Sequence, residues 1–497
     1  MKSQVCISDL MTSSGVAFGT SGARGLVEAM TDRICFAYTC GFLQHLEDIG
    51  HFSKGAAVSI AGDLRPSTPR ILQACAAAIL HKGGKIDYCG FVPSPSVAAH
   101  GFAHNSGSLM VTGSHIPDDR NGIKFNRADG EILKADEIAI RAQNVEIPDI
   151  FDAQGMLNEP IVLPALTDVS SSYLARYVDF FGAKALEGMA LGVYEHSAVG
   201  RDIFVQLVKE LGGTVHRLGR SDCFIPVDTE AVRPEDHALA QQWSRELNLD
   251  AILSSDGDSD RPLLADENGN WIRGDILGIL CARALGASAI ATPVSCNSAV
   301  ESAQLFDAIH RTRIGSPFVI EAMQALIHDG HAVVCGYEAN GGFLLGSAVT
   351  TDTTILAPLP TRDAALPMIA TLVDAQRKNL PLSALQAELP ARFTFSERLQ
   401  NYPVAQSAAL IEKLIQGEDI EILDRLTALF KEIAGVAKRF DLTDGLRIYF
   451  DNADIIHLRP SGNAPELRCY TECDTMERAS SINDQVLHLI ERNAFAV

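Results

Sequence analysis

Residues 111–124 read V-T-G-S-H-I-P-D-D-R-N-G-I-K and overlap a short apolar run, S-L-M-V-T at 108–112. The run reads as a buried strand. Gly113 permits a sharp turn after it, which leaves Ser114 at the carboxyl end of the strand. In open α/β sheets that edge is where ligands bind. The same pattern recurs downstream. L-D-A-I-L-S-S at 249–255 reads as a strand and runs into D-G-D-S-D-R at 256–261, a loop with a carboxylate at every other position. A hydroxyl able to carry a phosphoryl group, beside an oxygen cage for a hard divalent cation, is the equipment of phosphoryl transfer. An unactivated hydroxyl is a poor nucleophile, and a phosphoryl group stored on Ser114 removes that difficulty. No G-x-S-x-G surrounds Ser114, so a hydrolase elbow is not supported.

Working outward, a weak repeat sets the fold class. A-V-S-I-A-G-D-L-R-P-S-T-P-R begins residues 57–90, an alanine-rich helix follows, and K-G-G-K-I-D-Y-C-G ends them. Residues 190–219 repeat the order strand, polar loop, helix, Gly-Gly, strand, with Phe204, Leu207, Val208 and Leu211 on one helical stripe. A looser copy starts near residue 289. Each reads as a parallel crossover unit. Beyond residue 390 the pattern changes to short strands at 446–450, 454–459 and 467–471 and a closing helix from Met476 to Arg492. The expected fold class is therefore α/β: three related mixed α/β domains plus a C-terminal α+β domain. Polar or Pro-containing joints near 148–168, 266–274 and 375–390 place the domains at 1–152, 153–268, 269–380 and 381–497.

Composition narrows the function. A net charge of -21 over 497 residues argues against a nucleic-acid partner and requires cations to be concentrated locally if the substrate is a phosphate. The N-terminus lacks a signal-peptide core and no apolar run reaches membrane-spanning length, so no membrane partner is expected. Eleven cysteines without a C-x-x-C suit free thiols in a reducing cytoplasm. An EF-hand fits Asp256, Asp258, Asp260 and Glu267, but Arg261 stands where glycine is required and Pro262 follows.

Three further loops carry polar groups in glycine-rich settings. R-P-S-G-N-A-P-E-L-R-C-Y at 459–470 offers Arg459, Ser461, the Gly462 amide and Asn463 as an anion nest, which a hairpin turn can also be. G-Y-E-A-N-G-G-F at 336–343 places Glu338 and Asn340 for vicinal hydroxyls. F-G-T-S-G-A-R-G at 18–25 carries Arg24 as its one strong anion ligand.

These loops, in this order, resemble the α-D-phosphohexomutase superfamily over residues 18–470. The resemblance implies four domains around a central cleft and interconversion of hexose 6-phosphate and hexose 1-phosphate through a phosphoserine and a hexose 1,6-bisphosphate. It implies Ser114 as the phosphoserine, with Asp256, Asp258 and Asp260 as Mg²⁺ ligands beside it. Arg261 would contact substrate or phosphoserine. Lys124, Arg24 and His115 would handle protons and charge. Glu338, with Asn340, would bind sugar hydroxyls, and Arg459, Ser461, Gly462 and Asn463 the non-reacting phosphate. Glucose or mannose 1,6-bisphosphate would load Ser114, and the chain would act as a monomer or dimer. Departures from the family pattern are Ile116 for Asn, Asn340 for Ser, Gly342 for a His found in several members, and Asn463-Ala464 for Thr-Glu. Mannose is the favoured hexose, with glucose or glucosamine as the alternative. A metal-dependent sugar-phosphate phosphatase and a silent sugar-phosphate-binding relative are the readings from other classes.

Overall fold

The computed structural model describes residues 3–19, 22–461 and 465–492. The chain divides into two compact units, one of residues 1–290 and 315–386, the other of residues 291–314 and 387–497.

The first unit is built on crossover units. Strands Ala57–Gly62 and Lys85–Phe91 run parallel, joined by helix Thr68–His81. Strands Ala190–Tyr194 and Thr214–Leu218 run parallel, joined by helix Arg201–Glu210. The stripe expected on the second helix is buried at Phe204, Leu207, Val208 and Leu211. Burial of that stripe, not helix propensity, is what holds so short a helix.

Two sheets frame the loops of interest. In the six-stranded sheet, Ser108–Val111 lies between Ala57–Gly62, parallel to it, and Arg120–Asn126, antiparallel to it. Gly22–Leu26 then pairs antiparallel with Arg120–Asn126, setting Arg24 opposite Gly122 and Gly22 opposite Lys124. In the five-stranded sheet, Ala251–Ser255 is parallel to Ala190–Tyr194 and antiparallel to Pro262–Ala265. A third group of strands, Val334–Tyr337, Phe343–Leu345 and Leu359–Asp363, is antiparallel throughout. Three strands thus end on loops of interest: Val111 before Ser114, Ser255 before Asp256 and Tyr337 before Glu338.

The second unit has a five-stranded antiparallel sheet in the order Phe393–Gln400, Glu466–Cys473, Ile455–Pro460, Leu446–Phe450, Ala437–Asp441. Helices Val404–Leu414, Asp419–Ala434 and Met476–Glu491 contribute Leu410, Leu426, Phe430, Ile482 and Val486 to its core. Nine of the eleven cysteines are buried and all are free thiols. Among the described residues no helix is long and apolar enough to cross a membrane.

One buried polar cluster ties helix Ser170–Phe181 to strand Leu359–Asp363. The Tyr173 hydroxyl donates to Asp363 Oδ1 at 2.6 Å, and the Tyr177 hydroxyl donates to Asp363 Oδ2. Burial pushes the Asp363 carboxyl up, and the two phenols work against that rise. Tyr173→Phe should therefore leave Asp363 Oδ1 with the Ala365 amide, at 3.0 Å, in place of two donors. We expect a loss of about 1–3 kcal/mol, read as a lower urea midpoint with unchanged circular dichroism.

Candidate active site

The Ser114 loop is shaped by a side chain that the sequence did not single out. Arg65, 1% exposed, pairs through Nε with Asp63 Oδ2 at 3.1 Å. Its Nη2 donates to the carbonyls of Ser114 at 2.8 Å and Ile116 at 2.5 Å, and its Nη1 to that of Pro117 at 2.7 Å. Thr112 Oγ1 donates to Asp63 and accepts from the Ser114 amide. Glycine is needed at 113 for space: a Cβ there would lie 2.6 Å from the Arg65 guanidinium carbon. The turn expected at Gly113 has its left-handed residue at Ser114, with φ 56°. Serine in that region is uncommon and costs on the order of 1–3 kcal/mol, which the Arg65 donors offset.

The acidic loop is equally constrained. The amides of Asp260 and Arg261 both donate to Asp256 Oδ1 at 3.2 Å, curling the chain back on its first carboxylate. The three aspartates, 0–2% exposed, each offer a carboxylate oxygen within 4.8 Å of the others. Protein donors hold both oxygens of Asp256 and one oxygen each of Asp258 and Asp260. Asp256 Oδ2 accepts from Ser114 Oγ at 2.5 Å. Asp258 Oδ2 accepts from Ser94 Oγ at 2.6 Å and from Lys124 Nζ at 2.5 Å. Asp260 Oδ2 accepts from Lys124 Nζ and lies 3.2 Å from Arg362 Nε. Oδ1 of Asp258 and Oδ1 of Asp260 are buried without a hydrogen-bond partner. Buried anionic oxygens left bare beside a serine hydroxyl are a donor set that fits a hard divalent cation.

Electrostatics agree with that fit. Burial, then the charges of Asp258 and Asp260, push the Asp256 carboxyl well up. Burial also pushes Asp258 up, but Lys124, together with hydrogen bonds from Lys124 and Ser94, carries it below the usual carboxylate range. Lys124 loses to burial and gains more from Asp258 and Asp260, so it stays a cation. Burial, then Arg261 and Arg24, lower His115 to about 2. Accordingly Arg261 Nη1 donates to His115 Nδ1 at 3.0 Å, and the ring is a neutral acceptor. Burial and the nearby arginines lower Arg24 to about 10, still charged at neutral pH.

Glu338 and Asn340, 4% and 6% exposed, lie in the loop after strand Val334–Tyr337. Arg362 Nη1 lies 3.5 Å from Glu338 Oε2. Asn340 Oδ1 accepts from the Gly342 amide at 2.9 Å, and the Asn340 carbonyl accepts from Thr229 at 2.7 Å. The structure thus brings Ser114, Lys124, His115, Asp256, Asp258, Asp260 and Arg261 into direct contact. Glu338 joins them through Arg362.

Arg459 and Ser461 belong to the second unit. Arg459 Nε pairs with Asp444 at 3.0 Å, and the Ser461 amide donates to the Glu466 carbonyl at 2.9 Å at the mouth of a hairpin. Gly462 and Asn463 lie outside the described residues. The residues that reading the sequence missed are Arg65, Ser94, Glu131 and Arg362. D-L-R at 63–65 was quoted as part of a repeat, and its arginine was the available signal. The others lie in stretches with no local pattern.

Residues 15–147, 273–393 and 403–489 match, respectively, the family models for phosphoglucomutase/phosphomannomutase alpha/beta/alpha domain I, alpha/beta/alpha domain III and C-terminal domain. A phosphomannomutase of Salmonella muenchen is 46% identical over 97% of both chains. One of Sinorhizobium fredii is 41% identical over 96% of this chain and 99% of its own. The chain therefore belongs to the phosphoglucomutase/phosphomannomutase family and is a hexose phosphate mutase. The crystal structure of a phosphoglucomutase/phosphomannomutase family protein from Burkholderia thailandensis shares the fold. Its TM-score is 0.72 at 19% identity, covering 96% of this chain and 97% of that one.

Ser94 tests the cation fit directly. It is the first residue of helix Ser94–Ala103, and its amide also donates to the Asp258 carbonyl at 2.9 Å. Removing a group that orients a ligand costs roughly 10–100-fold in metal affinity. Ser94→Ala should weaken Mn²⁺ binding by that factor in an electron paramagnetic resonance titration, and Ser94→Thr should restore it.

Proposed function

We propose that this mutase acts on mannose, interconverting mannose 6-phosphate and mannose 1-phosphate. Support comes from the two relatives above 40% identity, both phosphomannomutases. The observation that carries the mechanism is the Ser114 hydroxyl, 2.5 Å from a buried aspartate of the acidic loop.

In this reading Ser114 carries the phosphoryl group. The P–O bond to Ser114 breaks as one forms to the free sugar hydroxyl, giving the 1,6-bisphosphate. The other phosphoryl group then returns to Ser114, and the proton lost by one hydroxyl is regained by the other. Glucose or mannose 1,6-bisphosphate primes the serine. Asp256, Asp258 and Asp260 are the residues that would hold Mg²⁺ beside Ser114, and a bound ion would supply charge neutralisation for the transferring group. Lys124 and Arg261 add fixed positive charge where that group passes, the main need of a loose phosphoryl-transfer transition state. Arg24 adds to the same field, and neutral His115 aims Arg261. Glu338 accepts hydrogen bonds from sugar hydroxyls, with Asn340 keeping its loop closed.

Arg459, Ser461, Gly462 and Asn463 are assigned to the phosphate that does not react. Such contacts away from the reacting atoms align it. Four parts, at 1–152, 153–268, 269–380 and 381–497, belong to the same reading, as does a cytoplasmic setting for eleven free thiols.

A coupled assay with mannose 1-phosphate, glucose 1-phosphate and glucosamine 1-phosphate tests this. Mannose 1-phosphate should give the highest kcat/KM. Ser114→Ala should lower kcat by more than about 10³-fold with the fold intact, and radiolabel from the bisphosphate should load wild type only. Near-normal turnover in Ser114→Ala would refute the serine. Stoichiometric release of inorganic phosphate would make the enzyme a phosphatase.

A further inference from the structure

Two buried carboxylates from different loops, Asp260 and Glu338, share one cation. Arg362 Nε lies 3.2 Å from Asp260 Oδ2 and Arg362 Nη1 lies 3.5 Å from Glu338 Oε2. The guanidinium is 3% exposed. Its planar fork can hold two carboxylates in fixed relative orientation, which a lysine ammonium cannot. The backbone beneath it is pinned as well. Glu131, 3% exposed, accepts from Thr361 Oγ1 at 2.7 Å, from Ser316 Oγ at 2.7 Å and from the Arg362 amide at 3.4 Å.

The path of this arginine explains a glycine. A Cβ on Gly342 would lie 2.7 Å from Arg362 Cδ and 2.8 Å from its Cγ. Real Cβ atoms do not approach carbon so closely, and the stem is clamped at both ends. It could not swing aside without releasing Asp260 or Glu338. The loop that carries Glu338 therefore lacks a side chain at 342 so that a charged one can arrive from strand Leu359–Asp363.

Two consequences follow. Together with Lys124, Arg362 lies on Oδ2 of Asp260 and leaves Oδ1, 3.8 Å from Arg261 Nε, without a hydrogen bond. It also places its charge 3.5 Å from Oε2 of Glu338, a buried oxygen without a hydrogen bond. We propose that Arg362 is a positioning residue that holds the sugar-recognising carboxylate and a carboxylate of the cation loop in one register, with Gly342 providing the space. The sugar half of this statement rests on Glu338 binding substrate hydroxyls; the cation half does not.

The experiment uses full-length protein and four variants, Arg362→Lys, Gly342→Ala, Arg362→Ala and the Arg362→Ala/Gly342→Ala double. Arg362→Lys keeps a positive charge but loses the fork. It should raise KM for mannose 1-phosphate about tenfold while kcat stays within about threefold, the signature of lost ground-state alignment. Gly342→Ala adds one methyl far smaller than any charge change, yet should move KM in the same direction. In an Arg362→Ala background, where the stem is gone, Gly342→Ala should cost less than about twofold, because coupled side chains do not add. Mn²⁺ affinity of the unphosphorylated protein, read without turnover, should fall at least about fivefold in Arg362→Lys. Wild-type KM and wild-type Mn²⁺ affinity in both Arg362→Lys and Gly342→Ala would overturn the proposal. So would equal cost of Gly342→Ala with and without the Arg362 side chain. If wild type itself fails to turn over any hexose phosphate, the mutase reading fails, and the Mn²⁺ measurement still decides the cation half.

Discussion

Concentrated negative charge away from water is the constraint on which the rest of the first unit depends. Asp256, Asp258 and Asp260 converge with almost no solvent exposure. At an effective dielectric of about 20, two unit charges 4 Å apart interact by about 4 kcal/mol, so three carboxylates need compensation from whatever packs around them. It arrives from separate parts of the chain: Lys124 from the six-stranded sheet, Ser94 from a helix start, Arg362 from the end of a third group of strands. These donors gather on Oδ2 of Asp258 and Oδ2 of Asp260, and Oδ1 of each is buried without a hydrogen bond. The loop is thereby both held and left incomplete, and a site for a cation is what such an arrangement leaves.

The serine loop meets a different requirement with the same kind of part. Its backbone turns left-handed at a residue that needs a side chain, so the strain cannot be removed by glycine. Arg65 gathers carbonyls from Ser114, Ile116 and Pro117 onto one guanidinium, itself charge-paired with Asp63 and stacked 4.1 Å over the Phe224 ring. A rigid fork with five donors suits this task because the turn leaves several carbonyls pointing inward with no strand to bond to. Arg65 and Arg362 are alike in this respect. Each is almost wholly buried, and each excludes a Cβ from a neighbouring loop, at Gly113 and at Gly342.

How much of this was legible in the sequence follows from what local pattern can encode. Strand-then-loop is a local signal, so the elements before Ser114 and Asp256 could be placed from short apolar runs, and the parallel crossovers from repeated strand-helix-strand order. The aspartates at alternating positions announced themselves. Arg362 could not be found this way, because its partners lie 102 and 24 residues earlier in the chain. Nor could Glu131, which is defined by Ser316 and Thr361. Gly113 shows the same limit at short range. The sequence shows that a glycine is present, and conformational freedom is the default reason for one. Here the reason is an arginine 48 residues upstream, and the left-handed residue is the next one along.

Charge bookkeeping also resolves why a protein of net charge -21 can handle phosphates. Around Ser114, beyond the Arg65–Asp63 pair and Glu131, stand four carboxylates, Asp256, Asp258, Asp260 and Glu338, and four cations, Lys124, Arg24, Arg261 and Arg362. With all ionised they sum to zero. A divalent cation among the aspartates would raise that sum to +2, and a phosphoserine dianion, carrying nearly two negative charges at neutral pH, would return it close to zero. These eight groups thus come balanced, and the two missing charges balance each other. Burial makes this neutrality matter, because an imbalance of two charges in a site of low polarity costs far more than at the surface. Each partner therefore favours the other's presence, and the acidic exterior does not enter the sum.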